Sequence, residues 1–590
     1  MLQDFFITKN FSIKFLLLLL IFLFSTTSLF PQSYDILKCD VKARIDSVWG
    51  AGYSAEEELH IFDSVWTLID QKYACFQNLD IDWNAIKEKY RPEIAQGVSR
   101  GRFGAIINYL GLSLKEPHTF LYEEKVSNIP QPTLGMPLLF SRDNWRFGAG
   151  LSPLPDSSLL VYSAIENHPL GISAGDIVLG YDGIPWKKLY KKLLGMELPI
   201  YSGTSIGGND FAYNFDWLQG AGGNWHLFDT IDIIKYSSKD TLHLSTSPLS
   251  TIKEQSKNFL DQLPVPGVPV PLHPGGPSTS VAWGIVEGTN IGYVYVWSWF
   301  ADSSSIVFHN AIDSLTRIYN VTGLIFDFRT NNGGYVQNSD AGLRLLFDSN
   351  PPELFLAQRS NPFDHFAMRT YSGFSLLDDS SRSFNKPIAV LTGPHCISAC
   401  DFICLRMKSL PQARFFGLST TSGYASLQQV LLDSGVVARY AYLNGFEDEN
   451  APHYLTHEEF QVDEKVWHTP DDAAKGEDAV ANAAIAWIKS TTEVAAENSN
   501  STPKSFVLRQ NYPNPFNPTT TISYSLPHNT HITLSVFDAM GRKIMVLTNE
   551  EKAAGNYSIK FDASNLSSGV YFYRLNAGSF VDTKKLVLIK

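Results

Sequence analysis

The chain has 590 residues, of which 44% are hydrophobic, 13% aromatic and 18% charged, with 41 glycines and 31 prolines. At roughly 100–200 residues per domain this length predicts about three to five domains, and the composition excludes disordered, collagenous and coiled-coil chains. A formal charge of −12 with no Lys/Arg block leaves no phosphate-tracking surface for nucleic acid, and five cysteines are too few for a disulfide scaffold.

The first element is a leader. Lys9 and Lys14 precede the apolar run Phe15 to Phe24, and Ser25, Thr26, Thr27 and Ser28 follow, the order of a secretory signal over residues 1–32 with cleavage near 28–33. The run turns hydroxyl-rich after about ten residues, short of the ~20 a bilayer span needs, so no membrane span is expected after cleavage.

Residues 34–128 read as a helical region. Ile61, Val65, Trp66, Ile69 and Tyr73 recur at helical spacing, Asp82-Trp83-Asn84 offers cap chemistry before a segment ending near Pro92, and Phe103 to Leu110 predicts a third helix. Residues 133–248 change to short β-type runs such as Leu159 to Tyr162 and Ile177 to Leu179. Six prolines between Pro264 and Pro277 mark residues 249–280 as an extended linker or covering arm. Residues 281–490 alternate strand-like runs (Tyr293 to Val296, Leu324 to Phe328, Ile388 to Leu391) with helical patterns, the signature of an α/β core of stacked βαβ units. After a polar linker at 491–505, residues 506–590 are all short alternating strands, a small β-sandwich.

Three places carry chemistry. The strand ending at Asp327-Phe328-Arg329 runs into Thr330-Asn331-Asn332-Gly333-Gly334, where the backbone can turn sharply and present N–H groups to an oxyanion; an ordinary Asn/Gly turn is the alternative. Ser398 follows the strand Ile388 to Leu391 and opens a helix, a position suited to a nucleophile in the field of the helix N-terminus and equally to a capping serine. His118, in Glu116-Pro117-His118-Thr119, offers an imidazole able to serve as base at neutral pH. Cys396, Cys400 and Cys404 share one helix stripe with Ile403 and Met407 and read as core, with no second cluster to complete a zinc site; no metal and no cofactor is predicted.

Residues 62–94, the Glu116-Pro117-His118-Thr119 site, Asp327 to Gly334, Ser398-Ala399-Cys400-Asp401-Phe402, Ala413 to Gly417 and Thr421-Ser422-Gly423 together resemble, in order and spacing, the tail-specific, tricorn-like serine peptidases. The resemblance implies a crotonase-like α/β protease core with Ser398 as nucleophile, His118 as general base, and the N–H groups of Ala399 and Gly333 or Gly334 as oxyanion donors. Branches with a serine–lysine dyad place lysine after the glycine matching Gly423; Tyr424 stands there, which implies the serine–histidine branch. The acidic partner of that branch falls on Glu458, with Glu459 the alternative, while Glu116 stands where relatives often carry Asp. The segment Gly175-Asp176-Ile177 with its flanks resembles the PDZ domains of this family, which implies a peptide-binding site there and polypeptide substrates. The run from Tyr512 through Gly569-Val570-Tyr571 to Lys590 resembles the Ig-like sorting domain of the bacterial type IX secretion system, implying export by that machinery to the cell surface or the medium. A catalytically silent scaffold that binds peptides or apolar ligands, and a carbohydrate-binding or adhesive protein, are the competing functions.

Overall fold

The computed structural model describes residues 36–37, 39–129, 134–141, 147–201, 206–252, 263–269, 280–376, 384–432, 435–500, 503, 505–511 and 514–589, with backbone alone for 493–500. The expected leader lies outside these residues. Among the described residues no helix is long and apolar enough to cross a membrane. The chain divides into two compact units, residues 1–486 and 487–590.

In the first unit, the helix Ala55–Lys72 starts at a reciprocal cap: the Ser54 N–H donates to Glu57 Oε2 (2.9 Å), and the Glu57 N–H donates to Ser54 Oγ (3.3 Å). Its expected stripe of Ile61, Val65, Trp66 and Ile69 is buried. Trp66 stacks on Trp83 at 6.0 Å, the first residue of the helix Trp83–Ile94, which Asp82 caps through the Ala85 N–H. Pro92 sits inside this helix rather than ending it. The third helix, Arg100–Leu112, is longer than its predicted span, and a helix at Val41–Trp49 precedes all three.

The middle region is an antiparallel sheet ordered Ala149–Pro153, Leu159–Ala164, Ile177–Tyr181, Thr230–Ile234, Thr241–Ser245. Two helices interrupt it, Trp186–Gly195 and Asp210–Gln219. The first buries Trp186, Leu189, Tyr190 and Leu193, a 3.6-residue pattern present in the sequence inside a stretch read only for strands.

The α/β core is a sheet ordered Glu464–Lys465, Ala413–Gly417, Ile388–Thr392, Gly323–Asp327, Ile291–Val296, Val281–Ile285, all neighbours parallel except the last pair. Gly323–Asp327 and Ile388–Thr392 are buried at every residue, as expected for strands covered on both faces. The turn after Asp327 and the loop leading to Ser398 leave from the same, carboxyl end of adjacent parallel strands, where open α/β sheets form their crevices. In the proline-rich arm, Leu263 and Val265 are buried, and the Pro266 carbonyl accepts the Glu287 N–H beside the edge strand.

A second sheet joins the helical region to this core. Phe120–Glu123, two residues past His118, pairs with one side of Val436–Glu447, and Ala425–Leu431, two residues past Gly423, pairs with the other; Arg439 is registered with both Phe120 and Gln429. His118 and Gly423, about 300 positions apart, are thereby brought to one end of the same ladder.

The unit 487–590 holds two antiparallel sheets, Val507–Leu508, Thr519–Leu526, Gly555–Asp562 and Lys543–Lys552, Thr530–Asp538, Gly569–Ala577, Phe580–Leu588. Ile522, Tyr524 and Phe561 of one share an apolar core with Leu534, Val536 and Tyr573 of the other.

Candidate active site

Ser398 stands between the strand Ile388–Thr392 and the helix Ala399–Lys408 with φ 64° and ψ −120°. For a residue with a Cβ this is a sparsely populated, strained conformation, of the kind that persists where surrounding structure over-determines it. Three contacts impose it. The Ser398 N–H donates to Asp401 Oδ2 at 2.8 Å, the preceding Ile397 N–H donates to the Asn331 carbonyl at 3.1 Å, and the Cys396 carbonyl accepts from both the N–H and the hydroxyl of Thr421. The serine side chain remains partly exposed.

Gly333 covers this serine. Its φ of 81° favours glycine, and a Cβ built there would lie 2.7 Å from Ser398 Cβ and 3.3 Å from Ser398 Oγ. The two expected oxyanion glycines differ. The Gly333 N–H is already donated to Asn331 Oδ1 (2.9 Å), whereas the N–H groups of Gly334 and Ala399 have no hydrogen-bond partner among the described residues. Of the alternatives Gly333 and Gly334, it is Gly334 whose donor is free among the described residues. Asn331 fixes this turn through its side chain, donating to the Val296 carbonyl at 2.9 Å.

His118 is buried, and its Nδ1 lies 2.7 Å from Glu116 Oε1. Glu116 Oε2 accepts from the His118 N–H (3.0 Å) and from Thr119 Oγ1 (2.7 Å). Burial pushes the Glu116 carboxyl up, but the facing imidazole and these hydrogen bonds outweigh it, so its pKa lies below the ordinary glutamate value. The outer edge of the imidazole faces the serine loop: a Cβ on Gly423 would sit 3.1 Å from His118 Cε1, 2.6 Å from Pro117 Cγ and 3.4 Å from Ile397 Cγ1. Among the described residues no hydrogen bond joins Ser398 Oγ to the His118 Nε2.

Asp401 ties the two halves together. Its fully buried carboxylate accepts the N–H groups of Ser398, Ser422 and Gly423 and the Thr421 hydroxyl, all within 3.1 Å. Burial pushes it up to about 7 even against these donors.

Three stretches of the chain match known family models. Residues 290–444 match Peptidase family S41, residues 54–111 the Tricorn protease C1 domain, and residues 510–590 the Secretion system C-terminal sorting domain. Within the core, residues 290–444 are therefore similar to that peptidase family. The chain is a serine-type peptidase, and its sorting domain assigns it to type IX secretion, to the cell surface or beyond. Among solved structures, mature CPAF is 13% identical with a TM-score of 0.52, covering 76% of this chain and 99% of that one; a CPAF mutant gives 12% and 0.53 over the same shares. The photosystem II D1 C-terminal processing protease is 17% identical with a TM-score of 0.36, covering 69% and 92%. Among curated proteins none is significantly similar in sequence.

Several expected site residues lie elsewhere. Glu458 does not meet His118: its carboxylate is 3.0 Å from His453 Nε2 and also receives Asn78 Nδ2, on a half-exposed surface. Glu459 pairs with Lys465. The carboxylate on the imidazole is Glu116, two residues before it, because the turn at Lys115 (φ 46°) and Pro117 folds the glutamate back on its own chain. The Gly175-Asp176-Ile177 segment is not an open peptide end-binding loop. The buried Asp176 carboxylate is held by Lys235 and the Ser173 and Tyr236 N–H groups, and a Cβ on Gly175 would press at 2.9 Å on Ala474 of the covering helix Pro470–Lys475. Ile177 is consumed as the first residue of its strand. Tyr424, in place of a dyad lysine, is buried edge-on to Phe402.

The sulfur atoms of Cys396, Cys400 and Cys404 come within 4.8 Å of one another, the one group of this kind among the described residues able to ligate a metal; all three lie in the apolar core with Ile403 and Met407. Asp401, Asn331 and Asn209 hold the site together without belonging to the motif positions expected to carry the chemistry. Asn209 Nδ2 donates to Ser419 Oγ, the Thr420 carbonyl and Ser422 Oγ, and so docks the middle region on the loop that carries Gly423. A carboxylate three residues after a serine at a predicted helix start was the available signal for Asp401.

Proposed function

We propose that this secreted peptidase is an endopeptidase acting on polypeptides through an acyl-enzyme on Ser398. In this reading His118 Nε2 takes the proton from Ser398 Oγ as it attacks the scissile carbonyl, and Glu116 holds the Nδ1–H tautomer and balances the imidazolium that forms. The N–H groups of Gly334 and Ala399 receive the oxyanion, the second with the support of the helix N-terminus. His118 then returns the proton to the leaving amine, and water repeats the cycle on the ester. The observation that carries this reading is the convergence at one crevice of a strained, partly exposed serine, two unpartnered N–H groups and a glutamate-backed histidine. The hydrogen bond between Ser398 and His118 is expected to tighten on substrate binding.

The middle antiparallel domain is read as PDZ-like, an accessory that engages substrate chain and is coupled to the serine loop through Asn209. Purified Ser398→Ala should lose hydrolysis of an unfolded protein substrate; retention of wild-type turnover would reject the assignment. A silent peptide-binding scaffold draws on one observation, the missing Ser398–His118 hydrogen bond, and predicts instead that wild type and Ser398→Ala are equally inert.

A further inference from the structure

Phe300 and Tyr335 are 59% and 51% exposed, and their rings meet edge to face with centroids 6.0 Å apart. Their backbone is not loose. The Trp299 N–H donates to the Gly333 carbonyl (2.8 Å), the Tyr335 N–H to the Trp299 carbonyl (3.2 Å), and Asn338 Nδ2 also to the Trp299 carbonyl (2.8 Å). Trp299 itself is fully buried, edge-on to Phe308 at 5.0 Å. Two large rings are therefore held out in water by a rigid support, an arrangement that leaves apolar surface ready for a partner.

Their position says which partner. A Cβ on Gly334 would lie 2.5 Å from the Phe300 nitrogen and Tyr335 follows Gly334 directly, so the backbone that carries both rings adjoins the N–H proposed for the oxyanion, and a Cβ on the neighbouring Gly333 would lie 3.3 Å from Ser398 Oγ. The nearest charge along this segment, Asp302, is exposed and acidic, which disfavours an acidic side chain there.

We propose that Phe300 and Tyr335 form an apolar subsite that receives a large aliphatic or aromatic side chain of the polypeptide substrate next to the scissile bond. This rests on the peptidase reading of Ser398.

The test uses the mature enzyme and fluorogenic peptides identical except for Phe, Leu, Gly or Glu at each position flanking the cleaved bond. Wild type should prefer Phe or Leu over Gly at one position by ~10-fold or more in kcat/KM, with Glu worst. Phe300→Ala combined with Tyr335→Ala should reduce that ratio to about twofold, and Phe300→Leu combined with Tyr335→Phe should keep most of it. An absent preference in wild type, or one that survives in the double alanine variant, overturns the proposal. Labelling of wild type at Ser398 by a fluorophosphonate, with loss of fluoride, separates the two levels. A labelled enzyme without the preference sinks the subsite alone, and an unlabelled one sinks the peptidase reading and the subsite with it.

Discussion

Replacing Glu116 by Gln tests the histidine's support most sharply, because it keeps the shape and changes one proton. In the native arrangement Glu116 Oε1 accepts from Nδ1 at 2.7 Å, and Oε2 accepts both the His118 N–H and the Thr119 hydroxyl. A glutamine has a single acceptor oxygen, and the two donors on the Oε2 side claim it. Its amide then points an N–H at Nδ1, which must accept, so the neutral imidazole carries its proton on Nε2 and cannot deprotonate Ser398. Loss of the orienting carboxylate in a serine–histidine–carboxylate site costs about 10⁴ in kcat, or about 5 kcal/mol of transition-state stabilisation. The assay is kcat/KM on a fluorogenic peptide with the Glu116→Gln and Glu458→Gln enzymes in parallel, their folding checked by circular dichroism and thermal melting. Glu116→Gln should fall by three to four orders of magnitude, roughly as that magnitude implies, and Glu458→Gln, whose carboxylate serves His453 at the surface, should change by less than about twofold. Activity of Glu116→Gln within tenfold of wild type, or an equal loss in Glu458→Gln, would refute the assignment of the orienting carboxylate.

Other outcomes follow from the same contacts. Gly423→Ala should displace Pro117 and His118, which its methyl would meet at 2.6 and 3.1 Å, lowering kcat by roughly 10²-fold with only a small change in melting temperature; unchanged kcat would detach Gly423 from the histidine. Arg329 is fully buried between Asp327 and Asp478 at 2.7 and 2.8 Å, so Arg329→Ala should destabilise by about 3–5 kcal/mol in denaturant unfolding, and a loss below about 1 kcal/mol would contradict that reading. The Asp401 carboxyl, at about 7 in the fold against ~3.9 unfolded, favours the folded state fully below about pH 4, and that contribution is lost as pH rises through about 7. The stability of wild type relative to Asp401→Asn should therefore fall between pH 4 and 8, by up to about 1.4 kcal/mol per pH unit, and a pH-independent difference would show that Asp401 does not titrate there.

What the sequence disclosed, and what it did not, follows from the range of the interactions. Strand and helix patterns around Leu324 to Gly334 and Ile388 to Leu410 are local, and the elements stand where those patterns put them. The placement of His118 near Ser398 depends on strands Phe120–Glu123 and Ala425–Leu431 sharing Val436–Glu447, a pairing that no local pattern encodes; the resemblance implied the roles of the two residues and not the strands that bring them together. Motif order along the chain points to Glu458 and does not register that the short turn at Lys115 and Pro117 returns Glu116 to the imidazole two residues on. The Gly175 loop failed in a similar way: its composition suited a binding loop, and a helix nearly 300 residues later closes over it.

The most direct measurement of the central claim is the site of covalent capture on the folded enzyme. Treated with a fluorophosphonate and digested for mass spectrometry, wild type should carry one adduct, on Ser398, formed far more slowly when His118 is replaced by Ala and not at all in Ser398→Ala. An adduct on a different residue, or Ser398 unmodified in a well-folded enzyme, would contradict it.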